Sequence, residues 1–172
     1  MSVRPATVDD AEAIERVRIA TWHATYRGQL PDAALDAMSP HIEQRRQRLR
    51  DLGGAEFCFV AEADGRVVGF AVGGPERGHD PDYQGEVGAI YVLPEHQRKG
   101  LGRELIRESA RHLARNGMTT LLIWVLRENG IGRGFYERLG GRAVREKPLL
   151  MPGLGEGYVE VGYGWLDTAA LR

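Results

Sequence analysis

The segment from Glu86 to Gly102 constrains the fold most, because it joins an apolar run to a basic, glycine-rich turn and then to a helical pattern. It reads Glu-Val-Gly-Ala-Ile-Tyr-Val-Leu-Pro-Glu-His-Gln-Arg-Lys-Gly-Leu-Gly. The first N–H groups of a helix lack partners within it, and the helix dipole places partial positive charge there. Gly100 and Gly102 let the main chain approach a pyrophosphate, and Arg98 and Lys99 add charge. The segment therefore predicts an anion site built from backbone.

Two other phosphate-binding motifs fit this turn less well. A dinucleotide fingerprint, Gly-x-Gly-x-x-Gly, needs a third glycine where Leu105 stands. A P-loop needs Gly-x-x-x-x-Gly-Lys-Ser/Thr, which does not occur in the sequence. Binding of a nucleotide is thus the weaker alternative, and displacement of the true ligand by NAD or ATP would support it.

The length and composition are typical of one soluble domain spanning residues 1–172. The chain is 42% hydrophobic and 27% charged, and its formal net charge is −1. This balance predicts no nucleic-acid partner and no membrane-surface partner. The single cysteine, Cys58, lies between Phe57 and Phe59, so we expect a small buried strand residue rather than a catalytic thiol. We find no signal-peptide pattern and no apolar run of about 20 residues, and we expect a cytoplasmic protein.

Hydrophobic periodicity predicts a mixed α/β domain with the order β-α-α-β-β-β-α-β-α-β-β. Strand patterns cover roughly residues 3–6, 56–62, 67–72, 86–93, 119–126, 141–147 and 157–165. Helical patterns cover roughly residues 7–27, 31–52 with a break at Ser39-Pro40, 103–116 and 129–139. Asp64-Gly65 predicts a hairpin turn, and residues 73–85 and 152–157 predict loops. The five histidines show no spacing typical of metal ligands, so no metal site is expected.

The element order and two motifs resemble the GNAT superfamily of N-acetyltransferases. The family's signature for acyl-CoA binding, Gln/Arg-x-x-Gly-x-Gly/Ala, is met at residues 97–102, here called the glycine turn. Residues 129–140 resemble the family's Asn-x-x-Ala-x-x-Phe-Tyr-Glu-x-x-Gly element, with Gly132 in place of the alanine. Gly141 also replaces an aromatic residue that often follows. The resemblance implies an α/β fold with a mixed, mostly antiparallel central sheet, a splayed parallel strand pair and flanking helices.

The resemblance also implies acetyl-CoA as the co-substrate, without a metal. In this reading pantetheine lies along exposed strand backbone as an added strand would, and backbone N–H groups hold the pyrophosphate. The implied donor-site residues are Ile90, Tyr91, Val92, Arg98, Lys99, Gly100, Leu101, Gly102, Arg103 and Asn129.

Two side chains are candidates for proton transfer. Glu86 lies eleven positions before Gln97, the spacing at which histone-acetylating relatives place their general base, and its alternative is a surface ion pair. Strict alternation along the strand predicts that Glu86 shares a face with Ile90 and Val92. Tyr136 matches the family tyrosine that protonates the leaving thiolate, and its alternative is a packing residue.

The acceptor is less constrained than the donor. Relatives build the acceptor site from the first two helices and from the loops before the central and last strands. In this chain these carry Trp22, His23, Tyr26 and Arg27, then Glu76, Arg77, His79, Asp80, Asp82 and Tyr83, then residues 151–158. We expect a primary amine of a small molecule or a peptide, and the resemblance allows a homodimer. A non-catalytic CoA-binding sensor or interaction module of the same fold is the alternative function.

Overall fold

The computed structural model describes residues 1–150 and 154–172, and in this part of the chain it has seven strands and five α-helices. The strands are β1 (Ser2–Pro5), β2 (Phe57–Ala63), β3 (Arg66–Pro75), β4 (Gly85–Val92), β5 (Leu121–Leu126), β6 (Arg142–Pro148) and β7 (Val159–Trp165). The helices are α1 (Ala11–Tyr26), α2 (Asp32–Asp36), α3 (Ile42–Arg50), α4 (Leu101–Arg115) and α5 (Gly130–Arg138). No helix within the described ranges is long and apolar enough to cross a membrane.

All seven described strands form one sheet in the order β1-β2-β3-β4-β5-β7-β6. The β4–β5 pair is parallel, and every other neighbouring pair of these strands is antiparallel. The mixed, mostly antiparallel sheet predicted from the sequence is therefore confirmed.

Helices cover the two faces of the sheet, and each covered face has its own apolar core. The α1 face carries Val17, Val60 and Phe70 and packs against α1. The α4 face carries Phe59 and Ile123, which pack against α4, and α5 contributes residues to the same core. Alternation along β2 explains the division, because successive side chains of a strand point to opposite faces. Cys58 is buried on the α1 face, and burial raises the pKa of its thiol to about 12, so the predicted buried strand residue is confirmed.

Most turns follow the local sequence signals, with one error. The Asp64-Gly65 hairpin forms with positive φ at both residues, and Gly117 ends α4 at a φ of +80°. The loop predicted for residues 73–85 is wrong at its start, because β3 continues to Pro75. A Cβ at Gly73 would lie 2.1 Å from the carbonyl oxygen of Glu86, so glycine here permits close strand pairing rather than a loop. Of the predicted loop 152–157, residues 152 and 153 lie outside the described residues.

A β-bulge in β4 changes which side chains face each side of the sheet. Val72 pairs with Ala89, but Gly73 pairs with Val87, so Gly88 has no partner on β3. The extra residue shifts the alternation by one position. Glu86 therefore lies on the α1 face with Ala89 and Tyr91, and the predicted common face with Ile90 and Val92 is wrong. Alternation from sequence assumes an unbroken strand, and the bulge interrupts it.

The sheet opens between β4 and β5 beyond the bulge. The two strands pair at three positions only, Gly85 with Leu121, Glu86 with Leu122 and Val87 with Ile123. Past these positions β4 remains paired with β3, and β5 remains paired with β7 as far as Leu126. The parallel strands thus diverge towards their C-terminal ends, as the resemblance implies, and each presents unpaired backbone to the gap.

Candidate active site

A cavity of about 640 Å³ occupies the gap between β4 and β5. Its walls are residues 87–92 of β4, residues 123–126 of β5, the glycine turn, the start of α5 and the C-terminal half of α1. Because α1 and α5 lie on opposite faces of the sheet, the cavity reaches both faces. One molecule can therefore enter from each side and meet the other between the strands.

The glycine turn presents free backbone N–H groups at the start of α4. Arg98 and Gly100 adopt positive φ values of 59° and 89°, and the N–H of Glu104 donates the first helical hydrogen bond to the Gly100 carbonyl at 3.0 Å. Within the described chain the N–H groups of residues 98–103 have no acceptor. The Gln97 amide donates to the Val92 carbonyl at 2.9 Å, which fixes the turn to the end of β4. The turn has the geometry of an anion site.

Side chains around the turn make this end of the cavity positive. Arg98 and Arg103 line it, and so does Arg138 at the end of α5, which sequence reasoning missed. Lys99 and Leu101, both predicted at the donor site, do not line the cavity; the Leu101 side chain is buried in the core of the α4 face. These two residues can contribute to the anion site through their backbone N–H groups alone.

The predicted pantetheine residues of β4 all border the cavity. Ile90, Tyr91 and Val92 line it beyond the point where β4 and β5 separate. The Tyr91 side chain faces α1, where its hydroxyl accepts a hydrogen bond from Trp22 Nε1 at 2.9 Å. Burial raises the pKa of Tyr91, so the phenol stays protonated.

Asn129 also lines the cavity, but its side chain is engaged in structure. Its Oδ1 accepts from the Gly132 N–H at 2.9 Å and caps α5, and its Nδ2 donates to the Tyr26 hydroxyl at 3.4 Å. A Cβ at Gly132 would lie 3.0 Å from that Nδ2 and 3.1 Å from Val125. An alanine at this position would therefore require the Asn129 and Val125 side chains to shift by a few tenths of an ångström. At Gly141 a Cβ would lie 2.4 Å from the Trp165 ring, which already fills the space of an aromatic side chain.

Tyr136 lies on α5 at the edge of the gap and is 6% exposed. Its ring packs against Phe135, Tyr163 and Trp165, with centroid distances of 5.4, 5.7 and 6.3 Å. In the described chain its hydroxyl has no protein hydrogen-bond partner. Burial raises the pKa of Tyr136, so the group carries its proton at neutral pH.

Glu86 is buried on the α1 face, with 3% exposure, and is held by Arg77. Arg77 Nη2 donates to Oε1 at 2.6 Å, Nε donates to Oε2 at 3.2 Å, and the Arg77 N–H donates to Oε2 at 3.3 Å. Glu86 is not among the residues that line the cavity. Both carboxylate oxygens are therefore engaged by one arginine, whose own side chain is largely in solvent.

Sequence reasoning missed a second carboxylate, Glu160 on β7, which does line the cavity. Burial raises the pKa of Glu160 although Lys147 opposes this, and the nearby charge of Glu86 acts in the same direction as burial. The sequence feature that could have indicated Glu160 is a glutamate within the otherwise apolar pattern of β7. The pairing of β7 with β5 places it at the site, and that pairing joins distant parts of the chain.

The predicted acceptor elements divide into those that reach the cavity and those that do not. Trp22 and Tyr26 line it and form an edge-to-face pair with centroids 5.0 Å apart. Asp80 and Asp82 instead form ion pairs with Arg145 at 2.9 and 2.6 Å. The rest of the predicted set does not line it within the described chain: His23, Arg27, Glu76, Arg77, His79, Tyr83 and residues 154–158. Residues 151–153 of the last predicted loop lie outside the described residues.

Across residues 1–150 and 154–172, no group of three or more His, Cys, Asp and Glu side chains is placed to hold a metal ion.

Comparison with known families decides what this site belongs to. The sequence profile of the Acetyltransferase (GNAT) family matches residues 19–141, which include the glycine turn, the split strands and α5. The chain belongs to the GNAT acetyltransferase family. The resemblance seen in the sequence is thereby confirmed, and so is the prediction of an acyltransferase.

Two relatives illustrate the breadth of the match. The chain is 34% identical over 173 residues to an uncharacterized N-acetyltransferase, YuaI, of Bacillus subtilis, covering all of this chain and 96% of that one. It is 33% identical over 132 residues to the mycothiol acetyltransferase of Streptomyces griseus, covering 77% of this chain but only 39% of the relative.

Solved GNAT structures share the fold over nearly the whole chain. The PaiA N-acetyltransferase of Thermoplasma acidophilum, solved with coenzyme A, has a TM-score of 0.72 at 18% identity and covers 95% of this chain and 96% of its own. The acetyltransferase YncA of Salmonella typhimurium, solved with acetyl-CoA, has a TM-score of 0.69 at 25% identity and covers 97% and 94%. Both confirm the GNAT fold.

Proposed function

We propose that this protein transfers an acetyl group from acetyl-CoA to a primary amine of a small molecule or a peptide, by direct attack in a ternary complex. The observation that carries the proposal is the cavity between β4 and β5. It joins a turn of free N–H groups at one end to a carboxylate and aromatic side chains on the α1 face. A donor and an acceptor that enter from opposite faces would meet there without a covalent enzyme intermediate.

In the donor half, the pyrophosphate binds the N–H groups of residues 98–103, and the Arg98 and Arg103 side chains add charge. Pantetheine lies along the unpaired backbone of residues 90–92, as an extra strand would. Asn129 borders the pantetheine arm while its side chain holds the start of α5. Lys99 lies in the same turn and contributes its backbone N–H to the anion site.

In the reaction, the neutral amine attacks the thioester carbon, so that a C–N bond forms and the carbonyl oxygen becomes an oxyanion. A backbone N–H near Val92 stabilises the oxyanion. The C–S bond then breaks, Tyr136 gives its proton to the departing CoA thiolate, and the amine gives its proton to a water. Glu86 lies outside the cavity wall and is held by Arg77, so it can receive that proton only through such a water. The position of Tyr136 at the edge of the gap, with no protein partner for its hydroxyl among the described residues, supports its part in this scheme.

Calorimetric titration of the protein with acetyl-CoA, with free CoA and NAD as comparison ligands, tests the donor site. We expect saturable binding of acetyl-CoA that is lost in Gly100→Glu, because a carboxylate in the turn repels the pyrophosphate. Gly117→Glu is the matched control, since Gly117 has a similar positive φ at the opposite end of α4. The absence of acetyl-CoA binding by the unaltered protein would overturn the proposal.

Thiol release with a panel of amines, peptides and aminoglycosides then tests catalysis. Glu86→Gln should lower transfer without weakening acetyl-CoA binding. Tight acetyl-CoA binding with no thiol release for any amine would instead support the sensor or interaction module of the same fold. Displacement of CoA by NAD would favour the nucleotide-binding alternative.

A further inference from the structure

The transfer scheme leaves one carboxylate of the cavity unused. Glu160 stands on β7 opposite Leu126, and its side chain is 22% exposed. Val161, Tyr163 and Trp165 of the same strand belong to the core of the α4 face, so alternation directs Glu160 to the α1 face. Glu160 therefore borders the half of the cavity that the acceptor would enter.

The charge of Glu160 is only weakly compensated by the protein. Its ion-pair partner in the described chain is Lys147, whose Nζ lies 3.7 Å away, and that Nζ also lies 3.9 Å from the centroid of the Trp124 ring. Glu86, by contrast, receives three hydrogen bonds from Arg77. A cation that enters the cavity thus finds Glu160 still able to pair, whereas Glu86 lies outside the cavity wall and is already held by Arg77.

The walls beside Glu160 are aromatic and aliphatic. Trp22 and Tyr26 of α1 and Trp124 of β5 line this half of the cavity, and so do Leu30, Leu126 and Leu149. Aromatic faces attract ammonium groups, and apolar walls stabilise a flat apolar body by excluding water. The same surroundings make a second carboxylate beside Glu160 costly, because like charges in a poorly solvated site repel strongly.

We propose that Glu160 is a specificity-determining residue that binds the ammonium form of the acceptor and selects amines with a flat apolar body and no neighbouring carboxylate. The bound ammonium loses one proton to water before the neutral amine attacks the thioester. This inference rests on the proposed function. The other charged and titratable groups around Glu160 come from four elements. They are Glu86 on β4, Arg77 in the loop before β4, Lys147 on β6, and the hydroxyls of Tyr26 and Tyr91. Among them only the two carboxylates favour a cation, and Arg77 already satisfies Glu86.

Tyramine and tyrosine test the proposal, because they differ only in the carboxylate next to the amine. We expect the unaltered protein to have a kcat/KM for tyramine at least about tenfold above that for tyrosine, the effect of about 1.4 kcal/mol of discrimination. Glu160→Gln should raise KM for tyramine about tenfold, change kcat less and reduce the preference between the two amines. Glu160→Asp, which keeps the charge, should restore most of that preference.

Glu146→Gln is the matched control for the variants. Glu146 lies on β6 next to Lys147, is exposed, and pairs with Arg127 at 2.7 Å outside the cavity. Its substitution should leave both KM and the preference unchanged. The proposal would be overturned if the unaltered protein had equal kcat/KM values for tyramine and tyrosine. It would also be overturned if Glu160→Gln kept the preference for tyramine.

Calorimetric titration of the CoA-bound protein with each amine gives a readout that does not require turnover. Tyramine should bind, tyrosine should bind at least about tenfold more weakly, and Glu160→Gln should remove the difference. CoA binding without any tyramine binding would refute the role of Glu160 and leave the proposed function standing. Failure to bind acetyl-CoA would refute the proposed function itself, so the two failures are distinguishable.

Discussion

At the scale of single residues, the site is defined by which polar groups the protein has already satisfied. Arg77 occupies both oxygens of Glu86, and the cap of α5 occupies the Asn129 amide. The Tyr136 hydroxyl, by contrast, is held near the gap without a protein partner among the described residues. A side chain that lines a cavity and keeps no protein partner for its hydroxyl leaves that group available to a ligand.

Tyr136→Phe is the sharpest test at this scale. The substitution removes the proton donor for the thiolate and keeps the ring that packs against Tyr163 and Trp165. We expect kcat to fall about 10²-fold or more with an amine of high pKa, while the affinity for acetyl-CoA stays unchanged. Steady-state thiol release and calorimetry measure the two quantities.

The control for Tyr136→Phe is Tyr163→Phe in the adjoining ring. The Tyr163 hydroxyl donates to Glu137 at 2.6 Å and accepts from Arg133 Nε at 3.2 Å, so its bonds are structural. Its loss should lower stability and leave kcat near that of the unaltered protein. Full activity in Tyr136→Phe would remove the general-acid role.

At the scale of elements, the glycine turn is predictable from its local sequence. The bulge in β4 and the position of Glu160 are not, because both depend on how distant strands pair. Residues 97–102 carry their own glycines and charges, so the turn and the start of α4 follow from the sequence. The bulge at Gly88 depends on how β3 and β4 pair, and strict alternation misplaced Glu86 for that reason. Glu160 reaches the cavity through the pairing of β7 with β5, which no local pattern of residues specifies.

A buried ion cluster joins α1 to α3 and carries a prediction of its own. Glu15 is buried, and its carboxylate accepts hydrogen bonds from Arg18, from Arg45 and from the His41 N–H. Burial alone would raise the pKa of Glu15, but these donors lower it to about 2. We expect Glu15→Gln to lower the free energy of unfolding by about 3 kcal/mol at pH 7, because two partly buried arginines lose their buried counter-ion.

The same cluster sets a pH window for stability. Because the pKa of Glu15 is lower in the folded protein, its contribution is complete above the unfolded value of 4.5 and is lost as the pH falls towards about 2. Urea unfolding at pH 7 and below pH 3 should show the deficit of Glu15→Gln shrinking in acid. Glu43→Gln, in an exposed pair with Arg46, should cost less than about 0.5 kcal/mol at either pH. A deficit that is independent of pH would contradict the assignment.

At the scale of the whole molecule, the sheet consists of two parts held together by little pairing at their junction. β1 to β4 form one part, β5 to β7 form the other, and the junction has three paired positions followed by an open gap. Helix α1, which packs on the first part, reaches the gap from one face of the sheet. Helix α5, which follows β5 of the second part, reaches it from the other. A ligand that lies in the gap therefore contacts both parts and should stabilise the whole fold.

Hydrogen exchange in the presence and absence of acetyl-CoA tests this expectation. At a concentration about 100 times Kd, ligand binding should add about 2.7 kcal/mol to the free energy of unfolding. Slower exchange should be concentrated in residues 98–103 and in those N–H groups of residues 89–92 that face the gap, because these groups would gain acceptors. Strand β1, the edge strand that β2 and β3 separate from β4, should change only through global stability. Protection confined to β1, or protection absent from residues 98–103, would mean that CoA does not bind in the gap between the two parts of the sheet.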